Sequence, residues 1–181
     1  MLKEKRLKRK VKYTSDFLTL YEDDVVLPSG QFSTRVVVDH IGAAAVLPIT
    51  KGNKIILVKQ HRYAAGIDAI EIPAGKKDTK GEDPLACVKR ELIEETAYTS
   101  DDFTYLTTIH SAIGFSNEKI ALYLAKDVVP YHGEIKADEE EYLEILQVSY
   151  QEAKRLLNRG DITDAKTVVA LLMFFNTDKG E

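Results

Sequence analysis

Three glutamates, Glu91, Glu94 and Glu95, are the residues in this chain best placed to do chemistry. They fall in a stretch, Asp83 to about Ala97, whose pattern predicts a helix. Asp83 stands at the N-cap, Pro84 takes the first helical position, and Leu85, Val88, Leu92 and Thr96 share one side at about 100° per residue. On that helix the i, i+3, i+4 spacing gathers the three carboxylates on an adjacent arc of about 100°. Ionised together they repel one another, and Lys89 and Arg90 fall mostly to one flank. The arrangement reads either as a solvated acidic face or as a seat for a hard divalent cation, which takes oxygen ligands and is commonly shared with phosphates. A second acidic run, Asp138 to Glu141, raises the same two readings. Soft-metal chemistry is not expected. His40, His61, His110 and His132 show no paired spacing, and the single cysteine, Cys87, lies one turn before Glu91, where it reads as helix packing.

The elements that must position these groups form an α+β pattern. Strands are expected at 7–14, 17–27, 32–38, 43–49, 54–60, 69–72, 103–109, 119–128 and 142–148. Lys51-Gly52-Asn53 closes a hairpin, Ser149 caps a helix running to Asn158, and a last helix covers about Asp164 to Asn176. One helix between strands and two at the end do not make a βαβαβ alternation. No GxGxxG follows a strand and no GxxxxGK[ST] occurs, so the usual dinucleotide and nucleoside-triphosphate loops are missing.

The 181 residues suit one domain with an arm, and 44% hydrophobic with 30% charged residues is globular composition. One cysteine excludes an internal disulfide, and no apolar run reaches the ~18 residues of a membrane span. The basic start lacks a following apolar stretch, so a cytoplasmic protein with no membrane partner is expected. A net charge of −4 argues against a general nucleic-acid binder. Seven of the first twelve residues are nonetheless Lys or Arg, and they are expected as a solvated, partly disordered start to an edge strand.

From Gly75 to Tyr98 the chain closely resembles the Nudix box, G-x5-E-x7-R-E-U-x-E-E-x-G-U, with U a bulky apolar residue. Glu82 is followed seven residues later by Arg90-Glu91-Leu92-Ile93-Glu94-Glu95. Two departures stand out. Six residues rather than five separate Gly75 from Glu82, which alters the loop path, and Ala97 replaces a glycine, which weakens the expected helix stop. The resemblance implies a mixed β-sheet sandwiched between helices, over residues 42–181, preceded by an antiparallel β arm over 1–41. It implies Glu91 and Glu95 as main metal ligands with Glu94 assisting, the Ala74 carbonyl as a further ligand, and Arg90 as the group that orients the carboxylates.

The flanking runs narrow the subclass. Gln60-His61-Arg62-Tyr63, Glu71-Ile72-Pro73-Ala74-Gly75, Ala112-Ile113-Gly114-Phe115-Ser116-Asn117-Glu118 and Asp164-Ala165-Lys166-Thr167 look like those of ADP-ribose and nucleoside-diphosphate-sugar pyrophosphatases. Arg62 is then a candidate for the substrate's phosphates, and Glu71 and Glu118 for positioning substrate or metal. The alternatives are a surface arginine and surface carboxylates. Ile113 replaces a proline associated with ADP-ribose, which keeps a hexose substrate such as GDP-mannose in play. By the same resemblance Glu139 is the general base, with Glu141 beside metal or water and Glu140 a one-off alternative. The cofactor is Mg²⁺, two or three per site, with Mn²⁺ able to substitute. The partners are a nucleoside diphosphate sugar and a second copy of the chain, bound through the arm. Rival classes are a non-catalytic Nudix sensor, an RNA-cap hydrolase using the basic start, and a nucleoside-triphosphate sanitiser, against which the Glu-Ile-Pro-Ala-Gly lead-in and the long arm speak.

Overall fold

A computed structural model describes residues 2–135 and 142–177. The chain forms two compact units. One takes in the chain up to Gly42 together with His110–Lys119; the other takes in Ala43–Ile109 and the chain from Ile120 onward.

The first unit is an antiparallel three-stranded sheet, β1 (Lys5–Thr14), β2 (Leu18–Val26) and β3 (Phe32–His40), in that order. Its turn at Leu27–Gln31 uses Gly30 at φ 86°, where a side chain would be strained. The basic start is a regular strand rather than a loose one, because its register sets cation against anion. Arg9 lies opposite Asp23 and Lys10 opposite Glu22. Arg9 donates from Nε and Nη2 to the Asp23 carboxylate at 2.7 and 2.6 Å. These hydrogen bonds outweigh burial and hold the Asp23 carboxyl below the usual carboxylate range. Lys10 and Lys12 both reach Glu22. Residues 110–119 are stitched to β3: Val38 N–H donates to the Phe115 carbonyl at 2.7 Å, and His40 N–H to Asn117 Oδ1 at 2.8 Å.

The second unit is built on a mixed sheet. Its strands are β4 (Ala43–Thr50), β5 (Lys54–Arg62), β6 (Ile67–Glu71), β7 (Ala74–Lys76), β8 (Tyr98–Thr99), β9 (Asp102–His110), β10 (Lys119–Pro130) and β11 (Glu144–Ser149). The order is β11-β5-β4-β10-β8, with β6 on β5, β7 on β4 and β9 on β10. The β4–β10 pair is parallel; β5 runs antiparallel to β4, β6 and β11. The helices are α1 (Pro84–Thr96), α2 (Tyr150–Arg159) and α3 (Ala165–Thr177).

Strand alternation sorts side chains to two cores. Ala44, Val46, Ile56, Ala121 and Ala125 meet Cys87, Val88 and Leu92 of α1. Ala45, Leu47, Ile49, Ile55, Leu57, Leu122 and Leu124 meet Ala153 of α2 and Ala170, Leu171 and Phe174 of α3. β4 is therefore covered on both faces, which is why Ala43–Ile49 reads as an unbroken apolar run. The expected α+β, sheet-between-helices arrangement is what forms.

The expected helix ends hold in place but not in every detail. Asp83 is the N-cap of α1 without a side-chain hydrogen bond to it, whereas the Ser149 hydroxyl accepts from Glu152 N–H at 3.2 Å. Ala97 does stop α1. It adopts the left-handed conformation at φ 58° and donates to the Ile93 carbonyl, at about 1–2 kcal/mol of steric cost relative to glycine. The short β7 and β8 were not anticipated, since two or three residues carry no readable alternation. Among the described residues no helix is long and apolar enough to cross a membrane.

Candidate active site

α1 packs on β4 and β7, and this rotates two of its three glutamates inward. Glu91 is 8% exposed and Glu95 7%, so the acidic arc is not a solvated face. β7 is shaped to receive them. Gly75 lies so close that a Cβ there would overlap the Glu91 carboxylate, which is the local reason for glycine. The preceding backbone N–H, that of Ala74, donates to Glu95 Oε2 at 3.1 Å. Glu94 stays nearer solvent.

Arg90 is not left on a flank. Its Nη1 donates to Glu91 Oε1 at 2.7 Å and to Glu94 Oε2 at 2.9 Å. Its Nη2 donates to the Lys76 carbonyl at 3.3 Å and lies 3.3 Å from Asp78 and 3.8 Å from Glu82. Burial alone would lower its pKa, but the charge of Glu91 and the hydrogen bond to Glu94 raise it, so the guanidinium stays charged. The loop with the extra residue is tied into the same cluster, because Asp78 N–H donates to Glu82 Oε2 at 2.7 Å.

Four carboxylates thus share one guanidinium, and Glu95 is a fifth beside them. Hard oxygen donors in a negatively charged cluster, two of them buried, fit a divalent cation in chemistry. Among the described residues no three acidic, histidine or cysteine side chains already converge as a ligand set. Arg90 and the Ala74 N–H hold the oxygens, and a cation would compete with those contacts.

A second polar cluster sits at the end of β6. Glu71 is 2% exposed, not a surface carboxylate. Arg62, the last residue of β5, donates from Nε to Glu71 Oε1 and from Nη2 to Oε2, both at 2.6 Å. Lys166 of α3 also donates to Oε2 and lies 3.1 Å from Asp164. Burial would push the Glu71 carboxyl up; the Arg62 hydrogen bonds and the Lys166 charge outweigh it and hold it below the usual range. Asp164 caps α3 by accepting from Thr167 N–H at 3.0 Å. The Thr167 hydroxyl donates to Asp164 at 2.6 Å and accepts from Ile72 N–H at 2.9 Å. Arg62 also feels the charge of Glu95, so the two clusters are electrostatic neighbours.

Of the anticipated residues, Arg62, Glu71, Ala74, Arg90, Glu91, Glu94 and Glu95 all belong to this second unit. Glu118 belongs to the first, where it accepts from the Ser111 hydroxyl and lies 3.5 Å from His40. Glu139 and Glu141 lie outside the described residues. The sequence assigned no role to Asp78, Lys166 or Thr167. Lys166 carried a signal, since a lysine in the first turn of a helix opposes the helix dipole and needs a reason. Cys87 packs under the box with Sγ 3.7 Å from the Gly75 and Lys76 carbonyls, and burial pushes its thiol up to about 12.

Comparison with known proteins matches residues 39–171 to the NUDIX domain. An ADP-ribose pyrophosphatase of Bacillus subtilis is 38% identical over 94% of this chain and 91% of its own length. A methanol dehydrogenase activator of Bacillus methanolicus is also 38% identical, over 94% of this chain and 92% of its own. The crystal structure of an ADP compounds hydrolase superposes with a TM-score of 0.84 over 98% of this chain and 95% of that one, at 23% identity.

Proposed function

Since the chain belongs to the NUDIX family of pyrophosphohydrolases, we propose that it hydrolyses the pyrophosphate bond of ADP-ribose or another nucleoside diphosphate sugar, giving a nucleoside monophosphate and a sugar phosphate. The observation that carries this reading is the buried Glu91–Glu95 pair beneath Gly75 and Ala74. The name of the Bacillus subtilis relative supports the substrate class.

Family members generally use divalent metal ions, and Glu91 and Glu95, with Glu94 and the Ala74 carbonyl, are the residues we assign to Mg²⁺. When bound, such ions neutralise phosphate charge and lower the pKa of water. The protein's own groups supply the rest. Arg90 holds Glu91 and Glu94 at fixed separation by charge-assisted hydrogen bonds. Arg62, always charged, binds phosphate oxygens with the guanidinium edge that Glu71 does not use. Glu139 takes the proton of the attacking water and Glu141 assists it, a contribution of roughly 10²–10⁴-fold.

Ile113, in the place of the proline associated with ADP-ribose, favours a second reading in which a hexose such as that of GDP-mannose is preferred. We further propose that residues 1–41 form an arm that pairs two copies of the chain. Leu7, Val11 and Tyr13 on β1 and Phe32 and Val36 on β3 are exposed apolar residues suited to it. A lone buried thiol accords with a reducing cytoplasm.

The test is a panel of ADP-ribose, GDP-mannose, ADP-glucose, UDP-glucose, NADH, diadenosine phosphates and 8-oxo-dGTP, each with Mg²⁺ and with EDTA. AMP and ribose 5-phosphate, or a nucleoside monophosphate and hexose 1-phosphate, are the expected products. No Mg²⁺-dependent cleavage of any nucleotide sugar, or preference for the triphosphate, overturns the reading. Full activity in Glu139→Gln removes that residue as base.

A further inference from the structure

Lys166 is a buried cation, 8% exposed, in the first turn of α3. Both its burial and its position at a helix N-terminus oppose it. It is held there by two carboxylates, Glu71 and Asp164. The oxygen of Glu71 that takes Lys166 is the one that also takes Arg62 Nη2, while the other oxygen takes Arg62 Nε. A guanidinium gripped by two parallel hydrogen bonds has its plane fixed. The carboxylate that grips it is fixed in turn from behind, because Lys166 pins its buried side. Arg62 is the part of this chain of contacts that meets solvent: its side chain is 44% exposed against 3% for Glu71. Glu71 engages Nε and Nη2, so Nη1 is turned from it. The same helical turn holds the Ile72 N–H through Thr167, two residues before the Ala74 N–H that meets Glu95.

We infer that Lys166, supported by Asp164 and Thr167, is a positioning residue that fixes Arg62 through Glu71 in the orientation in which Arg62 receives the phosphates of the substrate. This rests on the pyrophosphatase reading above. It adds a role for the first turn of α3. Without Lys166, Glu71 keeps Arg62, but the pair is free to swing towards water. Arg62 then meets the substrate in several orientations, and binding suffers before chemistry does.

The test compares Lys166→Met, Lys166→Arg, Arg62→Gln and the Arg62→Gln/Lys166→Met double variant in the full chain with saturating Mg²⁺. Lys166→Met is expected to raise KM for the best nucleotide sugar about tenfold with kcat within about threefold, the mark of lost binding common to ground and transition states. Lys166→Arg restores KM to within about threefold of wild type, since a cation again reaches Glu71. The double variant has the KM of Arg62→Gln alone, because both act through one contact. Should Lys166→Met not fold, Lys166→Gln carries the same comparison. A readout without turnover separates this inference from the functional one. Hydrogen exchange of the Arg62 Nε–H, followed by NMR, is slow in wild type and accelerates at least about fivefold in Lys166→Met, as a loosened hydrogen bond opens more often. Wild type inactive on every nucleotide sugar removes the pyrophosphatase reading, and the exchange rate still decides whether Lys166 fixes Arg62. Unchanged KM and exchange beside a lowered melting temperature, or effects that multiply in the double variant, overturn the inference.

Discussion

Two charge clusters lie in the second unit, and they are built on opposite terms. At the end of β6, Arg62 and Lys166 face Glu71 and Asp164, two cations for two anions, each hydrogen-bonded. Around α1, Asp78, Glu82, Glu91 and Glu94 share Arg90, with Glu95 alongside. A balanced buried cluster serves as a strut, and breaking it leaves a charge stranded. A cluster short of positive charge serves as a receptor. Its own arginine spaces the carboxylates without neutralising them. Burial of carboxylates is therefore not by itself a sign of function; the charge balance separates the strut from the site.

The largest effect is expected of Glu71→Ala. It leaves Lys166 buried with Asp164 alone and should cost about 3 kcal/mol, the low end for breaking a buried pair because Arg62 can turn to water. Urea denaturation measures it, and a loss no larger than that of a surface mutation would remove the strut. Next, Glu95→Gln should lower kcat by about a hundredfold or more, since metal-borne charge stabilisation is worth several kcal/mol, while the folded spectrum stays intact. A folded variant with wild-type turnover would take Glu95 out of the site. Third, Mg²⁺ should raise the melting temperature of wild type in a saturable way, by ligand linkage, and do so much less in Glu95→Gln. Equal shifts in both proteins would mean that the cation binds elsewhere.

Fourth comes pH. The folded-state pKa of Glu71 is lowered below its ordinary 4.5 and that of Asp23 below 3.8. Their stabilisation is therefore fully present above those ordinary values and is lost as pH falls through the lower folded ones. Stability should fall on acidification in that window, and Glu71→Gln should flatten part of the fall. The smallest effect expected is that of Asp83→Ala. The N-cap carboxylate makes no capping hydrogen bond, so the change should stay within about 0.5 kcal/mol, against roughly 1 kcal/mol for a working cap such as Ser149→Ala.

Much of this was legible in the residues. The i, i+3, i+4 glutamates after Asp83-Pro84 placed α1 to within one residue at each end, because helix periodicity and terminal residues are local properties. The long strands β4, β5 and β10 followed from apolar runs. Arg90 shows the limit. Angular position about a helix axis put it on a flank, yet its side chain is long enough to cross to Glu91 and Glu94. The basic start shows another limit: it is the solvated edge strand that a charge run suggests, but its order is hidden until a partner strand is known, and β2 presents Glu22 and Asp23 in register with it. β7 was invisible for a related reason, since a three-residue strand exists only through its pairing with β4.

The sequence by itself determined the elements, the apolar sorting and the acidic helix, along with the family whose pattern those residues carry. All of these depend on spacings of a few residues along one chain. Tertiary structure alone decided that Glu91 and Glu95 turn inward beneath Gly75, that Arg62 is gripped by Glu71, and that Lys166 stands behind that grip. The last pairing joins residues 95 positions apart, which no local periodicity encodes. It exists because β6 and the first turn of α3 meet at one point of the fold, where a buried charge must find its counter-charge or not be buried at all.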